Sequence, residues 1–126
     1  MTTLIIGTFC IFIFHYVADY MFQKGEWALE KSTKLTSLLK HTTIYSLMWF
    51  IPMAALLGIV NGIIFVVVTF VLHTIQDYII SPIVKRMFET EKYYTDLPNT
   101  GVFSFMGFDQ FLHYLQLYGT FIFLLL

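Results

Sequence analysis

All seven lysine and arginine residues of this 126-residue chain fall in two short segments, residues 24–40 and 85–92. The rest is apolar stretches at about 4–23, 39–57, 63–81 and 102–126, each near the ~20 residues a helix needs to cross a hydrocarbon layer. Charged residues make up 12% of the chain and apolar residues 58%, against roughly 25% charged in a typical globular domain. The mean hydropathy of +0.75 points the same way, to lipid as the solvent. The expected fold is therefore all-α and integral to a membrane: a four-helix transmembrane bundle forming a single membrane domain over residues 1–126.

The connections follow from the same pattern. Lys24, Glu26, Glu30, Lys31, Lys34 and Lys40 alternate with Trp27, Leu29, Leu35 and Leu38. That mixture suits a short interfacial helix between spans 1 and 2 anchored by Trp27, with a plain polar loop as the alternative. Pro52 should kink the second span. Asn61-Gly62 reads as the tight turn into the third, and Pro82 should close it. Because the loop between spans 2 and 3 holds no Lys or Arg, the charge bias puts the two basic segments in the cytoplasm and both termini outside. Met1-Thr-Thr has no basic character, so the first span reads as a retained helix and not a leader. The aromatics read as lipid-facing bulk, with Trp49 and Tyr118 toward the outer side.

Against this background the polar residues inside the spans stand out. His15 and Asp19 are four residues apart, as are His73 and Asp77, and Asp109 and His113 repeat the spacing in reverse order. Four apart on a helix is one face, and an ionisable side chain at membrane depth is a functional-site hypothesis by default. With the topology above, Asp19 and Asp77 lie about 6 to 8 Å from the cytoplasmic ends of their helices, and His15 and His73 about 12 to 14 Å. Asp109 and His113 reach the same two depths because the fourth helix runs the other way. His41 and Tyr45 enter that layer from the second span, so all four histidines converge with three aspartates in one slab. The similar spellings at 15–20 and 73–78 also suggest a duplicated helical hairpin.

Imidazole and carboxylate ligands suit zinc, manganese or iron. His15, Asp19, His41, His73, Asp77, Asp109 and His113 are the expected ligand set for one or two divalent transition metal ions, zinc foremost. Two ions about 3.5 to 4 Å apart would make a phosphoester clamp. Asp19, Asp77 and Asp109 are equally the candidates for a general base. Gln23, Gln76 and Gln110 flank the layer, Gln23 and Gln110 as candidate substrate contacts, and Lys40 could meet an anionic head group from the cytoplasmic rim. The plainer reading is that interhelical His–Asp pairs only hold helices together, at roughly 0.6 kcal/mol each. The sequence has no nucleophile elbow, phosphate-cradling Gly loop or dinucleotide fingerprint. No basic aromatic patch points to nucleic acid, and the lone Cys10 builds no disulfide framework.

The ordered set His15, Asp19, Gln23, His41, His73, Asp77, Asp109, Gln110 and His113 resembles the domain-of-unknown-function 3307 family over essentially the whole chain. The resemblance implies a small multi-spanning protein, in a bacterial inner membrane, and names no reaction. Members often carry a Lys three residues after the second Asp, where this chain has Ile80, with Lys85 the nearest substitute. More remotely, the His/Asp-rich spans resemble those of predicted membrane-bound metal-dependent hydrolases. The leading expectation is a metal-dependent hydrolase acting on a membrane lipid or lipid-linked phosphoester near the cytoplasmic leaflet. The alternatives are a metal-ion or proton transporter or relay, which four spans would usually support only as a homodimer, and a non-catalytic subunit whose polar layer docks a partner.

Overall fold

The computed structural model describes residues 1–22, 24–90 and 101–126, and every regular element among them is helical. In chain order these are α1 (Thr2–Tyr16), α2 (Gly25–Glu30), α3 (Leu35–Met48), α4 (Phe50–Leu57), α5 (Ile59–Glu89) and α6 (Val102–Leu125). A π-helical turn, Val17–Met21, extends α1. Gln23 and most of the second charged loop lie outside the described residues.

Two of these helices, Thr2–Met21 and Ile59–Glu89, are by themselves long and apolar enough to cross a membrane. The sequence suggested four, and the other two fall short for different reasons. The expected second span is divided at Trp49 into α3 and α4. Pro52 has no N–H to offer the Met48 carbonyl and its ring crowds that oxygen, so the break falls one turn before the proline. α6 has the length, 24 residues, but Asp109, Gln110, His113 and Gln116 dilute its apolar character.

Two boundaries differ from expectation. The turn between α4 and α5 is at Gly58, which adopts φ 87°, a conformation open to glycine at no steric cost. Asn61 and Gly62 are already helical, and Gly62 serves packing: a Cβ there would sit 2.8 Å from the Ala54 backbone nitrogen. Nor does Pro82 end α5, which continues to Glu89. A proline inside a helix deletes one hydrogen bond and bends the axis without necessarily stopping it. At 31 residues α5 is about 46 Å long, well beyond the ~30 Å hydrocarbon thickness.

α5 is the central helix, packed against α3, α4 and α6, while α1 lies against α6 and α4. One half of the bundle has an apolar core of Ile11, Trp49, Met53, Phe65, Leu117 and Phe121. Trp49 is thus fully buried, against Phe14, Tyr45 and Phe65, and is no interfacial anchor. The other half buries His15, Asp19, His41, His73, Asp77 and His113. Outward faces carry Phe9, Ile13, Val67, Ile75, Phe111 and Phe123, all exposed. Polar residues inside and aliphatic or aromatic residues outside invert the usual arrangement of a protein in water.

The close approach at Gly62 predicts opposite signs for two alanine substitutions. Gly62→Ala should lower stability in detergent by about 1–3 kcal/mol, because the Ala54 backbone must move. Gly119→Ala, where nothing lies within 4 Å, should raise it by up to about 1 kcal/mol through helix propensity. Thermal unfolding of both variants checks the pair.

Candidate metal centre

Each helix brings its polar side chain to the centre for a local reason. On α5, His73 and Asp77 are one turn apart and face α3 and α6. On α3 the inward face is Leu38, His41, Thr42 and Tyr45, and its register against α5 is held by Thr42 and Thr74, whose hydroxyls are 2.9 Å apart. Asp19 lies in the π-helical turn, which buries both Ala18 and Asp19. Such a turn widens a helix by one residue and often marks a functional position. Sequence spacing alone suggested a plain helical pair with His15.

The donor atoms meet closely. His41 Nε2 lies 3.1 Å from His73 Nε2, 3.2 Å from Asp19 Oδ1 and 3.4 Å from Asp77 Oδ2, and His73 Nε2 is 3.5 Å from that same oxygen. Ligands on one tetrahedral zinc, at about 2.0–2.1 Å each, stand about 3.3 Å apart. Two imidazole nitrogens at 3.1 Å need a proton or a cation between them. Asp19, His41 and His73 form one triad able to hold an ion, and His73, Asp77 and His113 a second. Both draw on His73.

Second partners orient two of the imidazoles. His113 Nδ1 donates to the Asp109 carbonyl oxygen at 2.7 Å. Its Nε2 is left bare, 3.8 Å from Asp77 Oδ1 and with no hydrogen bond among the described residues. A ligand histidine is typically fixed in this way. His15 is different. Its Nε2 donates to Gln110 Oε1 at 2.9 Å, and its Nδ1 accepts from the Tyr45 hydroxyl at 2.7 Å. With both nitrogens engaged, His15 packs on His113 as a neighbour of the centre and does not join either triad. Asp109 also stays out of the triads. It is half-buried at the rim, with Oδ1 3.5 Å from His113 Nδ1.

A lysine also enters this layer, and it is not the Lys40 expected at the cytoplasmic rim. Lys40 is exposed on α3, while Lys31 reaches inward from the turn after α2 and donates to Asp77 Oδ2 at 2.8 Å. That turn is clamped by Glu30, which accepts from Lys34 at 2.5 Å and from Ser37 at 2.8 Å. The same two bonds hold the Glu30 carboxyl below its usual range. Burial disfavours the charge on Lys31, but Asp77 and Asp19 outweigh it and raise its pKa above the ordinary lysine value. Ile80 is buried, and Lys85 pairs with Glu89 at 3.7 Å. Lys31 therefore supplies the ammonium that neither of those positions does. Nothing in the linear pattern marked it, because a charge in a wet segment ordinarily stays wet.

Beside the centre, a cleft of about 500 Å³ is bounded by α2, the part of α5 beyond Pro82, and the start of α6. Asp19, Asp109, Gln110 and Lys31 line it together with Leu29, Val84, Phe88 and Met106. The expected contact of Gln23 lies outside the described residues. Gln76 is half-buried, and its Oε1 has no hydrogen bond among the described residues.

The Tyr45 ring stacks on His73 with centroids 4.0 Å apart, so its hydroxyl and its ring do separable work. Tyr45→Phe should cost about 1 kcal/mol, the price of one buried hydrogen bond. Tyr45→Ala should cost about 3–5 kcal/mol, the usual range for emptying a large aromatic site. Denaturant unfolding in detergent measures both.

No curated protein and no solved structure matches this chain. Residues 8–124 match the family described as Protein of unknown function (DUF3307), and the chain belongs to that family.

Proposed function

We propose that this is a membrane-embedded, metal-dependent hydrolase of a lipid or lipid-linked phosphoester, acting near the cytoplasmic leaflet of a bacterial inner membrane. In this reading α1, α3 with α4, α5 and α6 are four spans, and both termini face outward. The inverted packing supports lipid as the solvent, since exposed apolar surface of this extent marks membrane or partner contact.

The observation that carries the reading is the set of donor distances at His41, His73, Asp19 and Asp77, all 3.1 to 3.5 Å. Charge supports it as well. Asp19, Asp77 and Asp109 set against Lys31 leave two negative charges when the imidazoles are neutral, which one divalent ion would balance. His73 serves both triads, which favours one ion over two. Zinc is the first candidate, since the donors are imidazole nitrogen and carboxylate oxygen at near-tetrahedral spacing.

Bound there, a divalent ion would supply a water with its pKa lowered to about 7 and an electrophile for a phosphoryl oxygen. The chain's own residues do the rest. His41, His73, Asp19 and Asp77 would hold the ion, with His113 alongside. Asp109, which lines the cleft and has its Oδ1 3.5 Å from His113 Nδ1, is the base that would take the proton from the attacking water. Gln110 donates to Asp109 Oδ2 at 3.4 Å and orients it. Leu29, Val84, Phe88 and Met106 receive the apolar part of the substrate and exclude water.

A relay for ions or protons is the second reading. One observation favours it: the polar path continues past His73 and His113 to Thr69 and Gln116, which are hydrogen-bonded at 3.2 Å.

Elemental analysis of the detergent-purified protein should find one equivalent of a transition metal. The metal should be lost in His73→Ala and kept in His15→Ala. Asp109→Asn should keep the metal and lose hydrolysis of lipid phosphoesters by at least about 100-fold, the scale of general-base catalysis. No metal in the unaltered protein, even after added zinc, would falsify the hydrolase. Metal-dependent flux in liposomes without turnover would establish the relay instead.

A further inference from the structure

Among the described residues Lys31 is the one lysine or arginine in the cluster, and it comes from an exposed neighbourhood. Ala28 and Leu29 before it and Thr33 and Lys34 after it are exposed, yet its own side chain is 17% exposed and its ammonium touches Asp77 Oδ2. That oxygen is also one corner of the triangle it forms with His41 Nε2 and His73 Nε2, whose sides are 3.1, 3.4 and 3.5 Å. A point about 2 Å from all three corners exists, the length of a zinc bond to nitrogen or oxygen. An ion at that point and the ammonium would then share one oxygen as like charges in a buried site, where repulsion is screened far less than in water.

We infer that Lys31 is a built-in counter-cation that a divalent ion displaces from Asp77, and that the released ammonium then receives a phosphate-type anion in the adjoining cleft. The inference rests on the metal centre proposed above. Without the ion, Lys31 supplies the full positive charge beside a buried carboxylate whose other neighbours are the imidazoles of His41, His73 and His113. With the ion bound, that work is taken over. Lys31 and Ser32 already line the cleft, with Lys85 on its other wall, so a short swing of a flexible side chain suffices. Binding is thereby ordered. Before the ion arrives, Asp19 and Asp109 make the cleft floor repel an anion and Lys31 is engaged elsewhere. Afterwards the floor is neutralised and an ammonium is free.

Two measurements test this, neither of them turnover. The first is zinc affinity by chelator competition in Lys31→Met, with Lys40→Met as the exposed control. Displacement predicts that Lys31→Met binds zinc at least about tenfold tighter than the unaltered protein, with Lys40→Met unchanged. Equal or weaker binding means that Lys31 orients Asp77 instead of competing for it, and overturns this inference alone. No zinc bound by any of the three proteins overturns the metal centre, and the inference with it.

The second measurement needs no variant. Acetylation of Lys31 by a water-soluble amine reagent, mapped by peptide mass spectrometry and referenced to Lys40, should be several-fold faster with zinc than without. In the zinc-loaded protein, inorganic phosphate or short-chain phosphatidate should slow it again. Protection by both identifies phosphate itself as the ligand, and protection by phosphatidate alone identifies a lipid head group. Lys31 labelling unchanged by zinc, or protected by neither anion, overturns the proposal.

Discussion

Asp77 is the side chain on which the arrangement depends. It is 1% exposed, and a carboxylate taken out of water at such a depth costs several kcal/mol unless partners surround it. Lys31, His41 and His113 do so from three other elements, and His73 from the preceding turn of its own helix. The pairings fix more than the site. They set the register of α3 on α5, bring α6 against the same face, and pull the turn after α2 down onto the bundle. An apolar outer surface gives little positional information, because one aliphatic contact is much like another. A buried charge with four named partners gives a great deal.

The members of the cluster are not alike. His41 and His73 bring their Nε2 atoms to 3.1 Å, and His113 is held by a backbone carbonyl so that its Nε2 points inward. Both Nε2 atoms at that contact also lie within 3.5 Å of Asp77 Oδ2, so several acceptors crowd around one proton or cation. Helix-holding pairs behave differently, as Thr42 with Thr74 and Gln116 with Thr69 do. His15, bonded at both nitrogens, belongs with that second kind. The contrast within one layer distinguishes a central group whose donor atoms could hold a cation from pairs that join helices.

The parallel spellings illustrate the limit of pattern reading. His15–Asp19 and His73–Asp77 look equivalent in the chain, yet the first histidine supports and the second occupies the centre. The difference arises from the π-helical turn at Val17–Met21 and from Gln110 and Tyr45 reaching His15 first. Both depend on how α1 docks. Trp49 makes a similar point: an aromatic residue has two homes, interface and core, and packing against Phe14, Tyr45 and Phe65 puts this one in the core.

The sequence by itself determined that the chain is helical, that its basic residues are confined to two segments, and that four histidines and three aspartates share a layer. Those follow from periodicity, composition and axial rise, which are properties of a helix before it meets a neighbour. The tertiary structure decided which histidines present free nitrogens, that Lys31 and not Lys40 enters the layer, and that α5 runs on past Pro82 to form a cleft wall. These depend on rotation about each helix axis and on how a short turn folds back. Rotation is fixed only when partners from other elements satisfy a buried charge, and no stretch of sequence contains its own partners.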